Sequence, residues 1–168
     1  MTRLTHPPSV PYAASERDML CAFLDALRLV VTQKLDGVSE ADARTTATVS
    51  SLSLVAIVKH LAYAECLWFR RNFLGEEVDD PRLGDLDGQF DTKADDTLDG
   101  ALALYQEQCE RSRAIVAGAG SLDDVGVVRR SDMDITLRWI LVHMIEETAR
   151  HAGHADIIRE TVDGRTGE

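Results

Sequence analysis

Aromatic residues make up only 5% of this 168-residue chain, and runs of β-branched residues are scarce as well. Both shortages argue against a sheet-based fold, because strands draw on Val, Ile, Thr, Tyr, Phe and Trp. Cysteine is equally thin. Cys21, Cys66 and Cys109 are odd in number, far apart and set in apolar stretches, which reads as reduced core thiols and not as a disulfide framework. No apolar run approaches the ~18 residues that a membrane-spanning helix needs, and the N-terminal MTRLTHPPSVPYAAS lacks the apolar middle of a signal peptide. A cytoplasmic protein is expected. Basic residues are also short, with 18 Lys plus Arg against 29 Asp plus Glu and a net charge of -11. Such a chain repels phosphate backbones and anionic lipid surfaces over the first Debye length. Neither nucleic acid nor a membrane is an expected partner.

What the chain does have is Ala, Leu, Arg and Glu in long segments, a composition that favours helix. Its length suits one domain over residues 1 to 168, with a core from about 15 to 162. Four segments carry apolar residues at three- and four-residue steps between capping and stop signals. The first starts near Ser15, places Met19, Leu20, Phe23, Leu24, Leu27, Val30 and Val31 on one face, and ends before Gly37. The second runs from Ser51 or Ser53 to Gly75, with Ile57, His60, Leu61, Ala64, Leu67 and Trp68 inward. A third begins at the Asp95-Asp96-Thr97 cap and stops at Gly118 to Gly120; a fourth runs from about Asp132 to Asp134 as far as Val162. The expected fold is all-α, a four-helix bundle. Residues 76 to 96, EEVDDPRLGDLDGQFDTKADD, are polar and rich in Gly and Asp, so they should cross the bundle surface as a long connection. Calcium-loop ligand spacing is missing there, and a solvated loop is the simpler reading. DVGVV, at residues 124 to 128, can form a short extended piece, with nothing else in the chain to offer it a sheet.

The fourth segment holds the chemistry. HMIEETARHAGHADIIRE, residues 143 to 160, packs three of the five histidines and two adjacent glutamates into one stretch without proline. At about 100° per residue, and with Leu137 at zero, the apolar centre falls on Leu137, Leu141, Met144, Thr148 and Ala155. His151 then lies about 40° from it, Glu147 about 80°, His154 about 100° and His143 about 120°. Glu147 and His151 are four apart and stack one turn from each other. His60 adds a third group on the buried side of the second helix. A buried carboxylate meeting two imidazoles needs matched hydrogen bonds or a cation. Two nitrogens and one oxygen form the ligand type of catalytic zinc sites that keep a position open, and the same set accepts nickel, iron(II), cobalt or manganese.

Each residue also has a plainer reading. His60 alone is a satisfied core histidine, and Glu147 alone is a helix-surface acid pairing with Arg150 or His151. His143 and His154 sit at angles that suit boundary or supporting groups, and remain reserve ligands. Glu65 pairs with a surface base; Trp68 and Trp139 are packing residues, Trp139 on the outward side of its helix. Gly153, costly inside a helix, suggests a close backbone approach.

VAIVKHLAYAECLWF around His60 and TLRWILVHMIEETARHAGHADIIRE in the fourth segment resemble the DinB-like superfamily, within it the branch of mycothiol-dependent S-transferases. The resemblance covers the chain from the Ser15 helix to about Glu160. It implies a bundle with up-down-down-up connection, which suits the long crossover between the second and third helices. It also implies one divalent metal, zinc being the expected ion, held by His60, Glu147 and His151. In many relatives the middle position is histidine, so Glu147 is a departure. The implied activity is transfer of a low-molecular-weight thiol, with mycothiol as co-substrate, to an electrophilic small molecule by a cytoplasmic homodimer. A non-catalytic metal-binding stress-response bundle is the alternative, as is a metal-dependent hydrolase or isomerase of the same superfamily.

Overall fold

The structure is a computed structural model that describes residues 10–46, 52–78, 90–128 and 133–166. Helix α1, Glu16–Gln33, starts where the Ser15 hydroxyl accepts from the Asp18 N–H, and Glu16 and Asp18 in its first turn suit the positive end of the helix dipole. Gly37, at φ +70°, turns the chain just beyond it. A single-turn helix α2, Glu40–Ala43, follows under a Ser39 cap and was not expected from the periodicity. Helix α3, Leu54–Glu65, is capped by Ser53, and all twelve of its residues are buried. It is the central helix. The expected second helix continues to Phe73, but residues Cys66–Phe73 are wound as a π-helix, a register that apolar spacing at three and four residues cannot reveal. Helix α4, Leu98–Gly118, begins at the expected Thr97 cap.

Helix α5, Leu137–Asp163, starts later than expected, because Thr136 and not an upstream aspartate supplies the cap. The residues just before it are held extended: Val125 and Thr136 form an antiparallel bridge, and the Gly126 N–H donates to the Ile135 carbonyl at 2.8 Å. DVGVV is therefore extended at one bridge, as its composition suggests. The acidic part of the crossover at 79 to 89 and the residue Asp132 lie outside the described residues.

Ion pairs and caps give the direction of each helix. Arg138 at the start of α5 donates to Glu16 at the start of α1 (2.8 Å), and Arg159 near the end of α5 donates to the Asp36 carbonyl just past the end of α1 (3.1 Å). These two helices run parallel. Lys59 early in α3 pairs with Asp96 just before α4, and Arg70 further along donates to Gln108 in α4 at 3.2 Å, so α3 and α4 are parallel too. Arg17 at the start of α1 donates to the Val116 and Ala119 carbonyls at the end of α4 (3.2 and 2.9 Å). The two parallel pairs therefore oppose each other, in the up-down-down-up order.

Two apolar clusters form the core. One gathers Leu24, Trp68, Phe69, Leu137, Ile140, Leu141 and Met144; the other gathers Val31, Leu54, Ile57, Leu61, Tyr105, Ala155 and Ile158. On α5 the first ends around Met144 and the second begins at Ala152. The ionisable stretch fills the interval between them.

The last turn of the π-helical segment is tied to the loop ahead of α5. Val127 and Val128 donate to the carbonyls of Phe73 and Asn72 at 3.1 and 3.0 Å, satisfying acceptors that a helix end leaves open. Gly126 makes that approach possible, since a Cβ there would lie 2.7 Å from the Asn72 carbonyl oxygen. Gly126→Ala is expected to cost ~1–3 kcal/mol, read as a lower urea midpoint; an unchanged midpoint would show that the loop gives way freely.

Candidate metal centre

Helix α3 delivers His60 and α5 delivers Glu147 and His151 to one point between the two core clusters. Glu147 Oε1 lies 2.8 Å from His60 Nε2 and 3.2 Å from His151 Nε2, and one donor atom from each of the three residues falls within 4.8 Å of the others. His60 is 5% exposed and His151 4%, while the Glu147 side chain is 12% exposed. The angular order read from the helix wheel, His151 inside and Glu147 at the edge, is the order of burial. Gly153 meets nothing within contact distance, so no close backbone approach explains it.

A cation-free network is one arrangement that these atoms allow. For one carboxylate oxygen to accept from both imidazoles, each ring must carry its proton on Nε2. His60 Nδ1 has no hydrogen-bond partner among the described residues, whether it is an acceptor in this network or an N–H donor when Nε2 holds a cation. With a cation present the Nε2 lone pairs face inward instead. Metal–ligand bonds of ~2.0–2.2 Å at tetrahedral angles set neighbouring donors roughly 3.3–3.5 Å apart, close to the spacing from the imidazoles to Oε1. The donor set fits a divalent ion.

Supporting groups surround the triad. His154 Nδ1 lies 3.4 Å from His151 Nδ1, so a His151 Nδ1–H can donate to it and keep Nε2 directed at the centre. Burial first, then the charges of His151 and Arg150, lower the His154 pKa, which favours the neutral, accepting ring. Hydrogen bonds from His151 first and His60 second hold the Glu147 carboxyl well below the usual range against the opposing effect of burial. It is ionised at neutral pH. The other reserve ligand, His143, stands apart: its ring stacks on Trp139 at 5.0 Å and meets the Trp68 edge at 4.6 Å.

Three features were not read from the sequence. Phe90 stacks on His60 at a centroid distance of 4.4 Å and lies 5.4 Å from His151, forming an apolar wall; one aromatic residue in an acidic, glycine-rich stretch gave no sign of it. Glu65 does not pair with a surface base. It is fully buried and takes two bonds from Arg28, itself buried, at 2.8 and 2.6 Å. Arg28 is further held by Asp25 at 2.9 Å. A cavity of about 430 Å³ along the seam between α1 and α4 is lined by Asp25, Arg28, Tyr105, Cys109 and Arg113, with none of the triad. Its Cys109 thiol is pushed up to about 12 by burial and by Glu65, and Cys21 is raised by burial, so neither is a ready nucleophile.

Fold and site together define an all-α bundle with a two-histidine, one-carboxylate centre. The chain belongs to the mycothiol S-transferase family, whose pattern it matches over residues 19–164. Among solved structures it resembles that described as "YfiT from Bacillus subtilis is a probable metal-dependent hydrolase with an unusual four-helix bundle topology". The TM-score is 0.64 over 91% of each chain, at 18% identity, a likeness of fold. No curated protein matches the sequence.

Proposed function

We propose that the protein is a divalent-metal-dependent thiol S-transferase that joins a low-molecular-weight thiol, mycothiol, to an electrophilic small molecule. The observation that carries this reading is the convergence of His60, Glu147 and His151 on one buried point in a chain of this family. These residues would hold the cation, zinc by ligand type and otherwise nickel, iron, cobalt or manganese. When bound, the ion supplies Lewis acidity that lowers the pKa of a thiol. Phe90 excludes water from one side of the imidazoles and keeps the local dielectric low. His154 holds the His151 ring in the ligating tautomer. In the transfer, the thiol gives its proton to solvent, a sulfur–carbon bond forms, and the leaving group departs with its bonding pair; with an epoxide a ring carbon–oxygen bond breaks instead and the oxygen takes a proton back from solvent.

The test is incubation of zinc-loaded protein with mycothiol and a bimane or chlorinated electrophile, with conjugate followed by mass. Conjugation should require both the metal and the thiol. Turnover of an ester or amide without thiol would favour the hydrolase reading that the YfiT description suggests. No turnover with any of several thiols would favour a non-catalytic metal-binding bundle.

A cytoplasmic homodimer is part of the same reading, since among the described residues no helix is long and apolar enough to cross a membrane, and Trp139 remains 48% exposed beside exposed Val142. Such a face suits a contact with a second copy. Trp139→Asp should halve the mass measured by light scattering; an unchanged mass would place the contact elsewhere or remove it.

A further inference from the structure

Glu147 divides its two oxygens between the interior and the solvent edge. Oε1 takes both imidazoles, and Oε2 takes Nη1 of Arg150 at 2.9 Å. Arg150 stands one turn further along α5 and is 52% exposed, so its guanidinium reaches in from solvent onto a nearly buried carboxylate. Its second nitrogen, Nη2, is anchored on Glu146. Most surface ion pairs contribute little. This one differs because its acceptor is also the hinge of the triad. A carboxylate free of Arg150 can turn both oxygens toward a cation, whereas a charge-assisted bond to Oε2 withdraws that oxygen. The guanidinium also offsets the charge that separates a carboxylate ligand from a neutral imidazole.

We propose that Arg150 is a positioning residue of the metal centre: it holds Glu147 as a one-oxygen ligand and so keeps a coordination position free for the thiol. The proposal rests on the reading of His60, Glu147 and His151 as metal ligands, and it concerns a residue that contacts only one of them.

Zinc affinity measured by chelator competition and the visible absorption of the cobalt(II)-loaded protein test it in the full-length chain. Arg150→Ala should weaken the cobalt bands as Oε2 turns inward and the ligand number rises, and should tighten zinc binding about tenfold, since it removes a positive charge beside the ion and frees an oxygen for it. Arg150→Lys should stay nearer the wild-type affinity through its charge while losing part of the hold on Oε2. Glu146→Gln, which loosens the other anchor of the guanidinium, should move both readouts in the same direction as Arg150→Ala but by less. The metal-free melting temperature controls for folding. Wild-type affinity and cobalt bands in Arg150→Ala would overturn the proposal, and so would tighter binding with unchanged bands, which is loss of charge alone. A wild-type chain that holds no divalent ion would sink the metal reading and this role together. An ion held by wild type, lost in His151→Ala and indifferent to Arg150→Ala would sink only the role.

Discussion

Zinc is expected to raise the melting temperature of the wild-type protein and to leave that of His151→Ala unchanged. A ligand that binds only the native state adds about 2.7 kcal/mol when present at 100 times its dissociation constant, and the triad supplies the only group of three metal-binding side chains found among the described residues. Removing His151 leaves one imidazole and one carboxylate, which should lower affinity by more than the ~10–100-fold that loss of a supporting partner costs. Calorimetry with and without zinc reads the difference. A zinc-dependent shift that persists in the variant would place the ion elsewhere. The same comparison on His60→Ala asks whether α3 contributes, since its ring is the only donor of the triad outside α5.

The second large effect concerns stability alone. Glu65→Ala is expected to cost ~3–5 kcal/mol, because it strands a buried guanidinium that now donates two of its hydrogen bonds to that carboxylate. Asp25 remains as a partner but reaches a different nitrogen. Replacing both members, Arg28→Met with Glu65→Leu, should be far milder, since an apolar pair of similar volume avoids desolvating either charge. Urea unfolding of the two singles and the double completes the cycle. Equal losses in the single and the double would mean that packing, and not the unpaired charge, sets the cost.

The fold was legible because its signals are local. Ser15, Ser53 and Thr97 sit where capping rules place them, and apolar spacing marks the faces of long helices. The triad was legible for a related reason: Glu147 and His151 are bound by helical spacing, so their shared direction follows from sequence separation. His60 was a candidate from its place on the buried side of its helix, and the resemblance reinforced its link to partners 87 residues away. What stayed hidden depends on tertiary contact. Phe90 arrives from a polar connection, Arg28 meets Glu65 across two helices, and the π-helical turn beyond Glu65 has no periodicity that sets it apart. The late start of α5 is of the same kind, since the preceding residues are drawn out by a bridge to Val125.

The donors are shared unequally between the two halves of the bundle. Glu147 and His151 ride on α5, which is fastened to α1 near both ends through Arg138 and Arg159, whereas His60 belongs to the half made by α3 and α4. An ion gripped there would rivet one half to the other, and chelation would slacken a mechanical seam as well as empty a chemical one.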